Sequence, residues 1–224
     1  MIPYVLIRSA RRSLAIYIRQ GKVEVRAPLQ ISPAEIEGFL NTKQSWIERK
    51  LAQSQQRAAA QANFALQYGD RLRYGGQTFP LLAGSKRRAY FDGAAFYLPA
   101  SLTAEQIKTH CLRLYRQLAR QGLSARLAFY SRLMGVAPQM IRISGAKTRW
   151  GSCSARQTIS FSWRLIMASA AVQDYVVVHE LAHLREMNHS QRFWQIVEDF
   201  LPDYPERQRQ LRALQRQLTS ENWD

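Results

Sequence analysis

Three of the four histidines in this chain fall within eleven positions, in the run His179-Glu180-Leu181-Ala182-His183-Leu184-Arg185-Glu186-Met187-Asn188-His189. Histidines four apart on a helix lie about 40° apart around its axis, so His179 and His183 project from one face, one turn apart. Two imidazole nitrogens can there converge on one metal ion at about 2 Å. Glu180, about 100° round from His179, can reach a water on that metal without ligating it. This is the H-E-x-x-H arrangement, in which the metal acidifies the water and the carboxylate takes its proton. His189 can add a third imidazole once the helix turns at Asn188, a residue that tolerates left-handed backbone. Three protein ligands and one open position suit a catalytic zinc, whereas a structural zinc normally has four ligands.

The third ligand has rivals. A glutamate from the following helix can take this place, and Glu198 is the candidate here. Glu186 is nearer, but three residues past His183 on the same helix it points along the axis, away from a third vertex. His189 is preferred because residues 190–200 read as a new helix whose Phe193, Trp194 and Val197 belong in the core. That would hold His189 at its N-terminal edge.

The helix that carries His179 and His183 has a start signal in Ser169. Its run Val172, Tyr175, Val176, Val177, Val178, Leu181, Ala182 is apolar on almost every side, so it must be buried in its domain. Polar histidines there need compensating bonds, which a metal supplies. Before it, residues 140–144 read as a strand. The run Lys147-Thr148-Arg149-Trp150-Gly151-Ser152-Cys153-Ser154 pairs as a hairpin with the alternating Thr158-Ile159-Ser160-Phe161-Ser162-Trp163.

Further back, residues 4–9, 13–19 and 22–27 alternate as half-buried strands, with a tight turn at Gln20-Gly21. Ser32-Pro33-Ala34-Glu35 is a capping box that opens one long helix with Ile36, Phe39, Leu40, Ile47 and Leu51 on one face. The Gln- and Ala-rich residues 52–67 read as a fraying helix end or a linker. A second strand group covers residues 71–74, 78–82, 88–91 and 95–98, with turns at Gly75-Gly76 and Asp92-Gly93. Thr103-Ala104-Glu105-Gln106 caps another helix, along which Ile107, Cys111, Leu114 and Leu118 form a stripe. The helical signal resumes over residues 123–134, and Gly122 reads as a break or a close packing point. His110, beside the stripe, reads as a surface or packing residue.

The chain of 224 residues carries a formal net charge of +16. Residues 1–60 hold ten Lys/Arg against four Asp/Glu, residues 61–173 sixteen against three, and residues 174–224 six against nine. The histidine-rich end is therefore mildly acidic and the rest strongly basic. Arg113, Arg116 and Arg120 on the second long helix are the best candidates for a polyanion-binding face, with nucleic acid as the partner, although such a run is also an ordinary wet face. No run of eighteen apolar residues is present, which excludes a membrane-spanning helix. The start Met1-Ile2-Pro3-Tyr4 lacks the pattern of a secretory signal, and two cysteines make no disulfide framework. A reducing, cytoplasmic setting is the expectation.

Taken together, Arg149 to Ser154, Trp163-Arg164-Leu165-Ile166, Tyr175 to Leu184, Asn188-His189-Ser190, Phe193-Trp194 and Pro202-Asp203-Tyr204 resemble the YgjP-like zinc metallopeptidases, relatives of the SprT-like group. Weaker likeness extends to the N-terminal strands, Ala27-Pro28 and Trp46-Ile47. Ser162 and Ser169 depart from the family pattern, which has Asn and Pro there. The resemblance implies an α+β chain with a zincin-like catalytic domain over residues 101–224. Residues 1–100 would be an N-terminal region of antiparallel strands and one long helix. It further implies one Zn2+ per chain on His179, His183 and His189, Glu180 as general base, and a protein or peptide substrate. In such a fold the segment 148–163 would offer an edge strand to an extended substrate. That makes Trp150 and Ser152 candidate substrate contacts, with packing as the other reading of Trp150. Tyr204 is a candidate oxyanion donor or a half-buried tyrosine. Cys153 is either a fourth, inhibitory ligand or a small buried thiol.

Overall fold

The computed structural model describes every residue except Met1, Gln20 and Asp224, so the Gln20 half of the expected Gln20-Gly21 turn lies outside the described residues. The chain divides into two compact units, one of residues 1–64 with 219–222, the other of residues 65–218 with Trp223.

In the first unit, β1 (Tyr4–Ser9), β2 (Ala15–Arg19) and β3 (Lys22–Pro28) form a sheet in the order β1-β3-β2. The period-two pattern of β3 turns Val23, Val25 and Ala27 into the core, where they meet Ile36, Leu40 and Ile47. The sheet is mixed and not purely antiparallel, because β1 runs parallel to β3 while β2 runs antiparallel to it. Ser32 forms the expected capping box with Glu35. The expected single helix is two, α1 (Pro33–Thr42) and α2 (Gln44–Ala62). Lys43 between them leaves the helical basin at φ −110°, ψ 9°. Asn41 and Thr42 are weak helix formers, and the Thr42 hydroxyl donates to the Phe39 carbonyl instead. The Ala/Gln run stays helical as far as Ala62, as its high propensity favours.

The second unit begins with β4 (Arg71–Tyr74), β5 (Gln77–Gly84), β6 (Tyr90–Phe91) and β7 (Phe96–Pro99), in the sheet order β4-β5-β7-β6. This unit starts at residue 65, and a tertiary contact ties its first hairpin to a later part of the chain. In the β4–β5 turn, Gly75 and Gly76 both have positive φ, and their N–H groups donate to the Ile166 and Met167 carbonyls at 2.9 and 3.1 Å. A Cβ on Gly76 would come within 2.9 Å of Ser169, so only glycine fits there.

Helix α3 (Ala104–Met134) follows, capped by Thr103 with Gln106, and it runs through Gly122 without a break. Gly122 is a packing point, where a Cβ would lie 3.1 Å from Ile166. Next come β8 (Met140–Ser144), β9 (Gly151–Cys153) and β10 (Thr158–Ser162), in the order β8-β10-β9 with β9 antiparallel to β10. A 3-10 turn (Trp163–Met167) leads into α4 (Ala170–Ala182), α5 (Gln191–Phe200) and α6 (Tyr204–Leu218). The core of this unit joins Leu114, Tyr115 and Leu123 of α3 to Trp163, Leu165, Val177 and Leu181. No helix among the described residues is long and apolar enough to cross a membrane.

Candidate metal centre

Helix α4 is started by the Ser169 hydroxyl, which accepts from the Val172 N–H, and Val172, Gln173 and Tyr175 to Val178 are buried. It ends sooner than the sequence suggests. Ala182 is its last residue and His183 the C-cap. The Leu184, Arg185 and Glu186 N–H groups fold back onto the Leu181 and Ala182 carbonyls. Glu186 is thus outside the helix, and Asn188 is not among the non-glycine residues with positive φ. Asn188 acts through its side chain, whose Oδ1 accepts from the Ser190 N–H at 3.0 Å. Ser190 in turn caps α5 at the Phe193 N–H, so His189 sits immediately before a capped helix.

This path brings the three imidazoles together. One nitrogen from each of His179, His183 and His189 lies within 4.8 Å of the other two. His179 Nε2 and His189 Nε2 approach to 3.1 Å. Two ring nitrogens so close must share a proton or face a common cation. The His183 Nδ1 lies 3.1 Å from the Glu186 carbonyl, which assigns the proton to Nδ1 and leaves Nε2 with its lone pair. Fully buried Phe193 touches all three rings at centroid distances of 4.9, 4.5 and 4.7 Å. Trp194 stacks on His189 at 5.7 Å.

Burial lowers His179 to about 3, helped by the neighbouring His183 and His189. The same cause lowers His183 against the pull of the Glu186 carbonyl. Both shifts favour neutral imidazoles, the form that ligates metal. His179 Nδ1 is buried with no hydrogen-bond partner among the described residues. Glu198 is exposed, and neither it nor Glu186 belongs to the converging group. The donor set thus fits one cation held by three nitrogens.

Glu180 is 5% exposed, and burial pushes its carboxyl up to about 8 although the Arg149 charge pulls the other way. With His179 it lines a pocket of about 200 Å3 whose other walls are Trp150, Gly151, Tyr175, Val176 and Leu211. Trp150 is therefore on the pocket wall. Ser152 pairs with Ser160 in the ladder and is not among the wall residues. Tyr204 also stands outside the wall, stacked on Trp194 at 5.3 Å. Cys153 lies outside the converging group, and its Sγ contacts the Ser154 carbonyl. Burial and the Glu180 charge raise its thiol.

Arg113, Arg116 and Arg120 are exposed on α3. Their neighbour Arg126 is occupied by Asp174 and Gln173. Sequence reasoning did not assign Leu211 or Tyr175 to the pocket, since nothing local marks a leucine of α6 as a wall. In sequence Gly151 stands inside a longer run and carries no sign of a role.

A model of the YgjP-like family, described as a metallopeptidase domain, matches residues 12–214. No curated protein matches the sequence. Among solved structures, the crystal structure of the metallopeptidase zymogen of Pyrococcus abyssi abylysin is similar, at 23% identity and a TM-score of 0.38. The match covers 45% of this chain and 97% of that one, a superposition too partial to place any residue.

Proposed function

Because the chain belongs to the YgjP-like metallopeptidase family, we propose that it is a zinc-dependent endopeptidase in which Glu180 is the general base. His179, His183 and His189 would hold one Zn2+ per chain. The observation that carries this reading is the convergence of three imidazole nitrogens beside a buried carboxyl that opens onto a pocket. Bound there, zinc would supply Lewis acidity toward a water and a peptide carbonyl. Everything else falls to the chain. Glu180, held near working pH by burial, takes the proton of the attacking water and returns it to the leaving amine. Arg149 keeps part of the carboxyl population ionised, as a base requires. The Glu186 carbonyl fixes the tautomer and tilt of His183.

The outer strand β9 leads into the pocket through Gly151 and Trp150, which supports it as the edge on which an extended peptide pairs. Trp150 is then a substrate contact. Ser152 and Tyr204, away from the wall, carry less support in that role. Nucleic-acid binding by Arg113, Arg116 and Arg120 has only their exposure behind it. A reducing, cytoplasmic setting rests on Cys111 and Cys153 standing free.

The test is Glu180→Gln beside the wild type, with metal analysis and hydrolysis of a peptide library. One zinc per chain should remain while the rate falls by about 10²–10⁴-fold. Full activity in the variant would remove the mechanism. Loss of zinc would make the carboxyl a ligand or an anchor of one.

A further inference from the structure

Gly151 opens β9 and faces Phe161 across the ladder. It is not among the glycines with positive φ, so any residue could adopt its backbone and conformational freedom does not explain it. Space does. A Cβ built on Gly151 would fall 2.4 Å from Glu180 Oε1, 2.6 Å from Cγ and 2.7 Å from Cδ. Non-bonded carbons sit at about 3.5–4.0 Å, so a methyl group and this carboxyl cannot share the site.

The backbone on either side is held. The Trp150 carbonyl accepts from the Ser162 N–H at 2.8 Å, and Phe161 opposite is fully buried. On the helix, Val177, Val178 and Leu181 around Glu180 are fully buried as well. The three atoms a methyl would strike are the outer half of one flexible side chain. The displacement therefore falls on the Glu180 torsions, which swing the carboxyl off the strand.

We propose that Gly151 is a positioning residue, whose missing side chain is the seat on which the Glu180 carboxyl lies. The effect on rate rests on the reading of Glu180 as base; the contact itself does not. Strand β9 thereby does two things at once. It offers its outer edge to the substrate and sets the reach of the carboxyl toward the water whose proton it would take.

The experiment compares Gly151→Ala, Glu180→Ala and the double variant in full-length protein, by thermal unfolding, zinc content and peptide hydrolysis. Glu180→Ala removes the three nearest atoms the new methyl would meet. Gly151→Ala should lower Tm by roughly 3–10 °C in the wild-type background and leave it unchanged in the Glu180→Ala background. Zinc should stay at one per chain, because the histidines are not struck. The kcat of Gly151→Ala should fall by about 10²-fold with little change in KM, as expected for a misplaced group that acts only in the transition state. If Gly151→Ala fails to fold, the double variant should fold, and failure of both overturns the proposal. So does an equal Tm loss in both backgrounds, which would make glycine a need of the strand. Wild-type kcat in Gly151→Ala overturns it too. If Glu180→Gln keeps full activity, the base assignment falls, while the Tm comparison still decides whether Gly151 seats the side chain.

Discussion

Removing the charge of Glu180 should change the pH dependence of the metal-free protein in a calculable way. Burial holds this carboxyl at about 8 against 4.5 in an ordinary setting, and holds His179 at about 3 against 6.5. Between pH 4.5 and 8 the folded state keeps a carboxyl proton that the unfolded chain has lost, so stability falls as pH rises through that window. Between pH 3 and 6.5 the unfolded chain holds an imidazole proton that folded His179 refuses, so stability falls as pH drops through that window. Where the windows overlap, from about pH 4.5 to 6.5, the two slopes oppose each other, and lowered His183 adds to the acid side. Above pH 6.5 Glu180 acts alone. Each pH unit there costs about 1.4 kcal/mol, or roughly 2 kcal/mol by pH 8. Glu180→Gln abolishes that limb and leaves the acid limb, to which His183 also contributes. Counted from pH 4.5, the ionised carboxyl carries a penalty of roughly 4–5 kcal/mol that the amide escapes. Urea unfolding of chelator-stripped wild type and variant at half-unit steps from pH 4 to 9 measures this. Parallel curves above pH 6.5 would refute the buried carboxyl and the reasoning built on it.

His189→Ala should weaken zinc binding by orders of magnitude and lower the Tm of the zinc-loaded protein, while Glu198→Ala leaves zinc content nearly unchanged. Competition with a chromophoric chelator reads both, and the reverse pattern would move the third ligand to the glutamate. If α3 binds nucleic acid, affinity in a low-salt filter assay should fall steeply with added salt and weaken in the Arg113→Ala/Arg116→Ala/Arg120→Ala variant. Absence of binding at low salt ends that reading.

Local signals proved the most legible part of the chain. Both capping boxes, the Ser169 cap and the alternation of β3 and β10 appear as their residue types demand, because each is a bargain among neighbours in sequence. The convergence of three imidazoles followed from spacing, but the route to it did not. In sequence Asn188 marks the turn by its backbone tolerance, whereas the chain leaves α4 earlier, through N–H groups of residues 184–186 that return to Leu181 and Ala182. The tie that holds the β4–β5 turn is hidden for a similar reason. Gly75-Gly76 reads as a bare hairpin turn in sequence, and nothing nearby says that its N–H groups are committed to carbonyls some ninety positions away. Gly151 shows the limit most plainly. A glycine chosen for the room it leaves to a distant carboxyl looks the same as one chosen for a turn.

The early end of α4 has an electrical meaning. Peptide dipoles along a helix sum to about half a negative charge at its C-terminus, and the effect fades within a turn. With Ala182 the last helical residue, His179 and His183 stand within that final turn. Had α4 run on to Asn188, the negative pole would have lain beyond both rings. As built, the peptide backbone biases this spot toward positive charge, before any acidic side chain is needed. A cation held there would gain from that field in proportion to its charge. Three neutral imidazoles offer lone pairs but no charge; the partial negative charge of the helix end would add to them.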